Sequence, residues 1–343
     1  MQIDRAYFLD LIQRILTTDS PSGFTMQVMK LIEEESTHLG YDFEYTKKGG
    51  GIITIPGESD EKTIGLSAHV DTLGAMVRSI SGDGTLNFTL VGGPIVPTLD
   101  SEYCRIHTRE GKVFTGTFLS KAPAMHVYKD SATMTRTPET MFVRLDETVK
   151  TKEEVKALGI QVGDFISIEP KTTIINDFVK SRFLDDKASV ACLFGVMAYL
   201  SRNHIKPAFT TKVIISAYEE VGHGASYIPS DVEELLAVDM GCIGEDLTCT
   251  EYDVSICAKD SSGPYDYEMT SRLIRLASAN ELKYAIDIYP YYGSDVSAAL
   301  RAGHNIRGAL IGPGVHASHG MERTHYSALE NTMHLIYHYL ISR

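Results

Sequence analysis

Residues 211–218, TKVIISAY, are almost continuously β-branched and apolar. A strand of that composition offers water no polar face, so it must be covered on both sides. ELLAVDMG (234–241) and NIRGALIG (305–312) read the same way. Between such runs lie helical patterns. Tyr7, Phe8, Leu11, Ile12 and Ile15 share one face of a helix over 4–17, which ends at the turn TDSPSG. A second helix is expected from Thr25 to Leu39, followed by short strands near 42–46 and 51–55 and a strand over 63–69. DKASVACLFGVMAYLSRN (186–203) is apolar on most faces, as a buried helix would be. Buried strands separated by helices require an α/β fold.

From Gly74 to residue 176 the texture changes. Short β-like runs (FTLVG, VFTGTFLS, MFVRLDE, DFISIEP) are separated by Gly, Asp and Pro turns. The one helical pattern, TKEEVKALG, starts at Thr151 as its cap. At 343 residues the chain is longer than one compact core usually holds. The expectation is an α/β domain from 1–73 and 177–343, interrupted by a β-rich module over 74–176.

Net charge is −13, which argues against a nucleic-acid partner, since phosphate binding needs clustered Lys and Arg. No apolar run reaches 18 residues, so no membrane span is expected. The N-terminal MQIDRAYFLDLIQRIL lacks the pattern of a signal peptide. Five cysteines without a CxxC pair suit a reduced, cytoplasmic setting.

Chemistry-bearing residues collect where strands end. His69 and Asp71 follow one strand, Glu219 and Glu220 a second and Asp239 a third. His316 and His319 lie beyond a fourth, and Asp185 and Asp186 open the buried helix. Ligands of an open α/β sheet bind outside the carboxyl ends of its strands. Imidazoles and carboxylates without thiolate suit zinc, cobalt or manganese in a hydrolytic centre. Two divalent ions need a bridging carboxylate and an open position. Asp185 can bridge, His69 and Asp239 can complete one ion, and Glu220 and His319 the other. Glu219 then remains free to take a proton from a metal-activated water and return it to the leaving amine. Asp71 suits a supporting role, accepting the second imidazole N–H of His69.

AHVDTLG, RFLDDKASVA, AYEEVG, AVDMG and the late SHGMERTH, in this order, resemble the dinuclear metallo-aminopeptidases of metallopeptidase family 42. That family includes the glutamyl and the tetrahedral (TET) aminopeptidases. The resemblance spans essentially the whole chain, including the early SPSG turn and the β insertion. It implies a three-layer, phosphorylase/hydrolase-like α/β catalytic domain and a small β-barrel insertion used in assembly. It also implies two divalent ions per subunit, short peptide substrates, and a homo-oligomer that is often a dodecamer. Carried over residue by residue, it makes His69 and Asp239 ligands of one ion, Asp185 the bridge, Glu220 and a C-terminal His ligands of the other, Glu219 the base and Asp71 the support of His69. Where the family carries a Met-His-Ser-Pro-like stretch, this chain has GVHASHGMERTHYSALENT, with His316, His319 and His325 to choose from. His319 best keeps the spacing to the helix expected over 327–340.

Blander roles compete. Asp186 can be a first-turn acid at the helix start. Asp295, in YYGSDVSAA, can contact a peptide N-terminus or cap a helix. The rival activity is a related dinuclear amidohydrolase acting on N-acyl amino acids or another small amide. A binding protein that kept the fold would have lost a ligand or the base, and none is missing.

Overall fold

A computed structural model describes all 343 residues, Met1–Arg343. The chain divides into two compact units, one of Met1–Asp71 with Lys171–Arg343 and one of Thr72–Pro170.

The first unit is built on a ten-stranded sheet. Four of its middle strands lie in the order Phe209–Ser216, Ser59–His69, Val232–Val238 and Arg307–Val315, and all four are parallel. Their carboxyl ends therefore share one edge. Successive side chains on a strand point to opposite faces, and here both faces are apolar. Val213, Ile215, Leu236 and Val238 enter a core shared with the helices Arg5–Thr17, Leu184–Arg202 and Tyr326–Ile341. Ile214, Leu235, Ala237 and Leu310 enter a second core with Val296 and Ala299 of the helix Asp295–Arg301. The result is three layers, as the unbroken apolar run at 211–218 requires. Each fully buried Ile or Leu in these layers stabilises the fold by about 1.5–3 kcal/mol relative to exposure.

The strands Thr173–Ile175 and Phe178–Ser181 form a hairpin that pairs with Glu322–His325. That pairing ties residues 171–176 to the first unit.

In the second unit six strands close into an antiparallel barrel. Around the barrel they run Gly74–Ile80, Leu86–Val91, Met141–Leu145, Val113–Ser120, Tyr103–His107 and Phe165–Ile168, and the last pairs with the first. Closure leaves no free sheet edge. Val77, Phe88, Ile106, Phe118, Val143 and Ile166 fill the interior, with Phe88 and Phe118 edge to face at 5.0 Å. Thr151 caps the helix Lys152–Ala157 in a capping box with Glu154. No helix in the chain is long and apolar enough to cross a membrane.

Candidate metal centre

The shared strand edge delivers the side chains. His69 is the last residue of its strand, in register with Ser216 of the neighbouring one. Three residues beyond Ser216, Glu219 and Glu220 begin a single 3-10 turn. Asp239 directly follows Val238, and its N–H donates to Ile311 O at 2.8 Å. Gly312 permits that approach, since a Cβ there would lie 1.9 Å from Asp239 O. Asp185 and Asp186 start the helix Leu184–Arg202 with non-helical backbone angles and a cis peptide between them.

Asp185 sits between two imidazoles. Its Oδ1 is 3.2 Å from His69 Nε2 and its Oδ2 is 3.5 Å from His319 Nε2. Glu220 Oε2 lies 3.6 Å from His319 Nε2, and Glu219 Oε2 lies 3.8 Å from His69 Nε2. Two trios could each hold an ion: His69 with Asp185 and Glu220, and His69 with Asp186 and Asp239. Asp186 thus joins Asp239 in the second trio, where Asp185 was the expected partner. The adjoining cavity, about 240 Å³, is lined by Asp185, Glu219, Glu220, Asp239 and His319, with Arg301 its one Lys or Arg.

The charges are frustrated without a cation. Burial, reinforced by Asp185, pushes the Asp239 carboxyl up to about 7. Burial likewise raises Glu219, Glu220 and Asp186 well above the ordinary carboxylate range. Burial disfavours a charged His69, but the carboxylates of Asp185 and Asp71 outweigh it and raise the imidazole well above its usual value. The same pairing, with His319 and His69, holds Asp185 below the usual range against its own burial.

A carboxyl whose folded pKa exceeds its unfolded value of about 4 keeps its proton longer in the folded chain, so stability falls as pH rises between the two. The window set by Asp239 and by Glu322, which burial pushes up to about 8, runs from about 4 to about 8. His69 acts in the same direction, its contribution being lost as pH climbs through its raised pKa. Asp185 and Asp71 are lowered, so their contributions vanish only below about 4. Thermal melts of metal-stripped protein should therefore drop by about 5 °C or more from pH 5 to pH 8, and zinc should remove most of that drop. A flat metal-free profile would contradict this charge balance.

The donor set fits divalent ions. It is imidazole and carboxylate throughout, and Glu220 Oε1 and Asp186 Oδ1 are buried with no hydrogen-bond partner. Buried anionic oxygens of this kind need a cation or a proton.

Several roles differ from expectation. His69 Nδ1 faces the backbone carbonyl of Asp71 at 3.0 Å, closer than the Asp71 carboxylate at 3.5 Å. That carboxylate accepts from Ser22 Oγ at 2.5 Å and from the N–H groups of Glu219 and Glu220 at 3.1 and 3.3 Å. Ser22 belongs to the SPSG turn, which gives that turn a place in the site. Asp295 is not a helix cap, because Ser294 holds that position in a capping box. The buried Asp295 carboxylate accepts from Ala225 N–H at 2.9 Å, on the loop that follows Glu220. Of the three late histidines, His319 meets the cluster. His325 packs its ring between Phe178 and Tyr252, at 4.9 and 4.8 Å, and His316 is exposed. Glu322 joins the site without a sequence signal. Its carboxylate accepts from the N–H groups of both Asp185 and His319.

Comparison with known proteins matches this architecture to a family. The family model of M42 glutamyl aminopeptidase covers residues 49–335. The chain belongs to the M42 family. Among its relatives, YhfE of Bacillus subtilis (strain 168), which bears a provisional aminopeptidase name, is 46% identical over 336 residues, 97% of each chain. The glutamyl aminopeptidase of Lactococcus lactis is 23% identical over 62% of this chain and 60% of its own. In fold, this M42 chain is similar to a TET aminopeptidase from a marine sediment Thaumarchaeota archaeon (TM-score 0.89, 19% identity, 98% and 96% of the two chains). It is also similar to the TET1 peptidase of Pyrococcus horikoshii, described as assembling into a tetrahedron or a large octahedral shell (TM-score 0.85, 20% identity, 98% and 100%). The protein is an M42 aminopeptidase, a hydrolase of peptides.

Proposed function

We propose that this M42 aminopeptidase removes N-terminal residues from short peptides at a centre of two divalent ions, zinc or cobalt, with manganese as a third candidate. The carrying observation is Asp185 set between His69 and His319, with Glu219 beside them. His69 and Asp239, with Asp185 or Asp186 as the further carboxylate, would hold one ion, and Asp185, Glu220 and His319 the other. Divalent ions there would supply Lewis acidity toward the scissile carbonyl and acidify a water. Glu219 takes a proton from the attacking water and passes it to the leaving amine. Burial raises its carboxyl above the ordinary carboxylate range, which favours proton uptake. Asp71 acts by fixing the backbone of Glu219 and Glu220, and Asp295 by holding the loop behind them.

We also infer a homo-oligomer, with a dodecamer as the candidate and the barrel unit taking part in assembly. The fold shared with Pyrococcus horikoshii TET1 supports it. The five unpaired thiols suit a reducing compartment such as the cytoplasm.

The test is amino-acid release from matched unblocked and N-acetylated tripeptides, with metal-stripped and zinc- or cobalt-restored protein. Release from unblocked peptides only, dependent on the metal, is expected. Cleavage of acetylated substrates alone would point to an amidohydrolase acting on N-acyl amino acids.

A further inference from the structure

Glu322 is 1% exposed, yet it lines none of the cavity beside the centre. Its Oε2 accepts from Asp185 N–H at 3.1 Å and its Oε1 from His319 N–H at 2.9 Å. One carboxylate therefore spans two segments far apart in sequence, each bearing a candidate ligand. Pairing of Ser181 with Glu322 across neighbouring strands seats it there. Arg182 adds a parallel tie, donating to Gly320 O at 3.2 Å. The tied loop is not relaxed on its own. Ala317 and His319 hold φ of +61° and +63°, a region that non-glycine residues keep only when their surroundings impose it.

We propose that Glu322 is a positioning residue of the metal centre, fixing through two backbone N–H groups the spacing at which Asp185 and His319 meet. The inference rests on the reading that Asp185 and His319 are ligands. Its geometry demands two acceptor oxygens on one group. Both Glu322 oxygens accept, whereas glutamine would turn one of them into an NH₂ facing an N–H donor. Aspartate keeps two acceptors but falls one methylene short of reaching both. Groups that orient metal ligands from behind typically change metal affinity by about 10–100-fold when altered.

The experiment is calorimetric titration of zinc into the metal-stripped full chain, comparing wild type, Glu322→Gln, Glu322→Asp, His319→Ala and the double variant Glu322→Gln with His319→Ala. Circular dichroism and melts of each metal-free variant accompany it. Wild type should bind two ions. Glu322→Gln should keep the wild-type circular dichroism and bind at least one ion about 10–100-fold more weakly. In the double variant the losses should sum to less than the two single effects, because the residues act on one element. Should Glu322→Gln not fold, Glu322→Asp carries the test, and a weakened ion is expected there too. Two ions bound at wild-type affinity by a folded Glu322 variant would overturn the proposal. A wild type that binds no zinc would overturn the reading of the site itself, so the two failures are distinct.

Discussion

Glu219→Gln should lower kcat by about 10²–10⁴-fold while leaving the bound metal in place. Glu219 begins the turn at the strand end, half-buried and 3.8 Å from His69. Its backbone, with that of Glu220, is fixed by Asp71. Glutamine preserves its volume and hydrogen-bonding reach but cannot take a proton. Steady-state kinetics on an unblocked tripeptide at saturating zinc, with metal content measured on the same sample, separates two roles. Loss of turnover with two ions retained identifies a base. Loss of turnover together with loss of an ion would make Glu219 a ligand.

Asp185→Ala should be as severe by another route. Asp185 is the one carboxylate that meets both His69 and His319. Removing it leaves each imidazole with a weaker set of partners and takes away the carboxylate proposed to serve both ions. Metal analysis after dialysis should find neither ion retained, and amino-acid release should fall to background. A variant holding one ion tightly with a tenth or more of the wild-type activity would contradict the bridging role.

The parts of the fold legible in sequence were those set by local pattern. The run around Val213–Ile215 announced a strand covered on both faces, and two separate cores do cover it. The helix faces at Phe8, Leu11 and Ile15, and the Thr151 cap, followed from spacing of the same local kind. Most site residues were legible for a related reason. His69, Glu219, Glu220 and Asp239 lie within a few residues of a strand end, so finding the strands found them.

What stayed hidden was set by distant chain. The role of Glu322 depends on a segment 137 residues away, which no periodicity announces. Asp71 lies two residues from His69, with its carboxylate 3.5 Å from Nδ1, but the hold of that carboxylate on Ser22 and on the amides of Glu219 and Glu220 has no sequence signal. Spacing to the last helix favoured His319 over His325. The physical reason His325 stands apart is its seat between Phe178 and Tyr252, residues remote in sequence. The strand Tyr284–Ile288 drew no expectation because it alternates exposed and buried positions and lacks a long apolar run.

Peptide hydrolysis here should depend on metal held by this cluster. The most direct measurement is a titration of metal-stripped protein with zinc, and separately with cobalt, following amino-acid release from an unblocked tripeptide against bound metal per chain. No release is expected without metal, and full activity is expected once two equivalents are bound. Undiminished release in excess chelator, or full activity with no metal bound at the His69–Asp185–His319 cluster, would contradict that dependence.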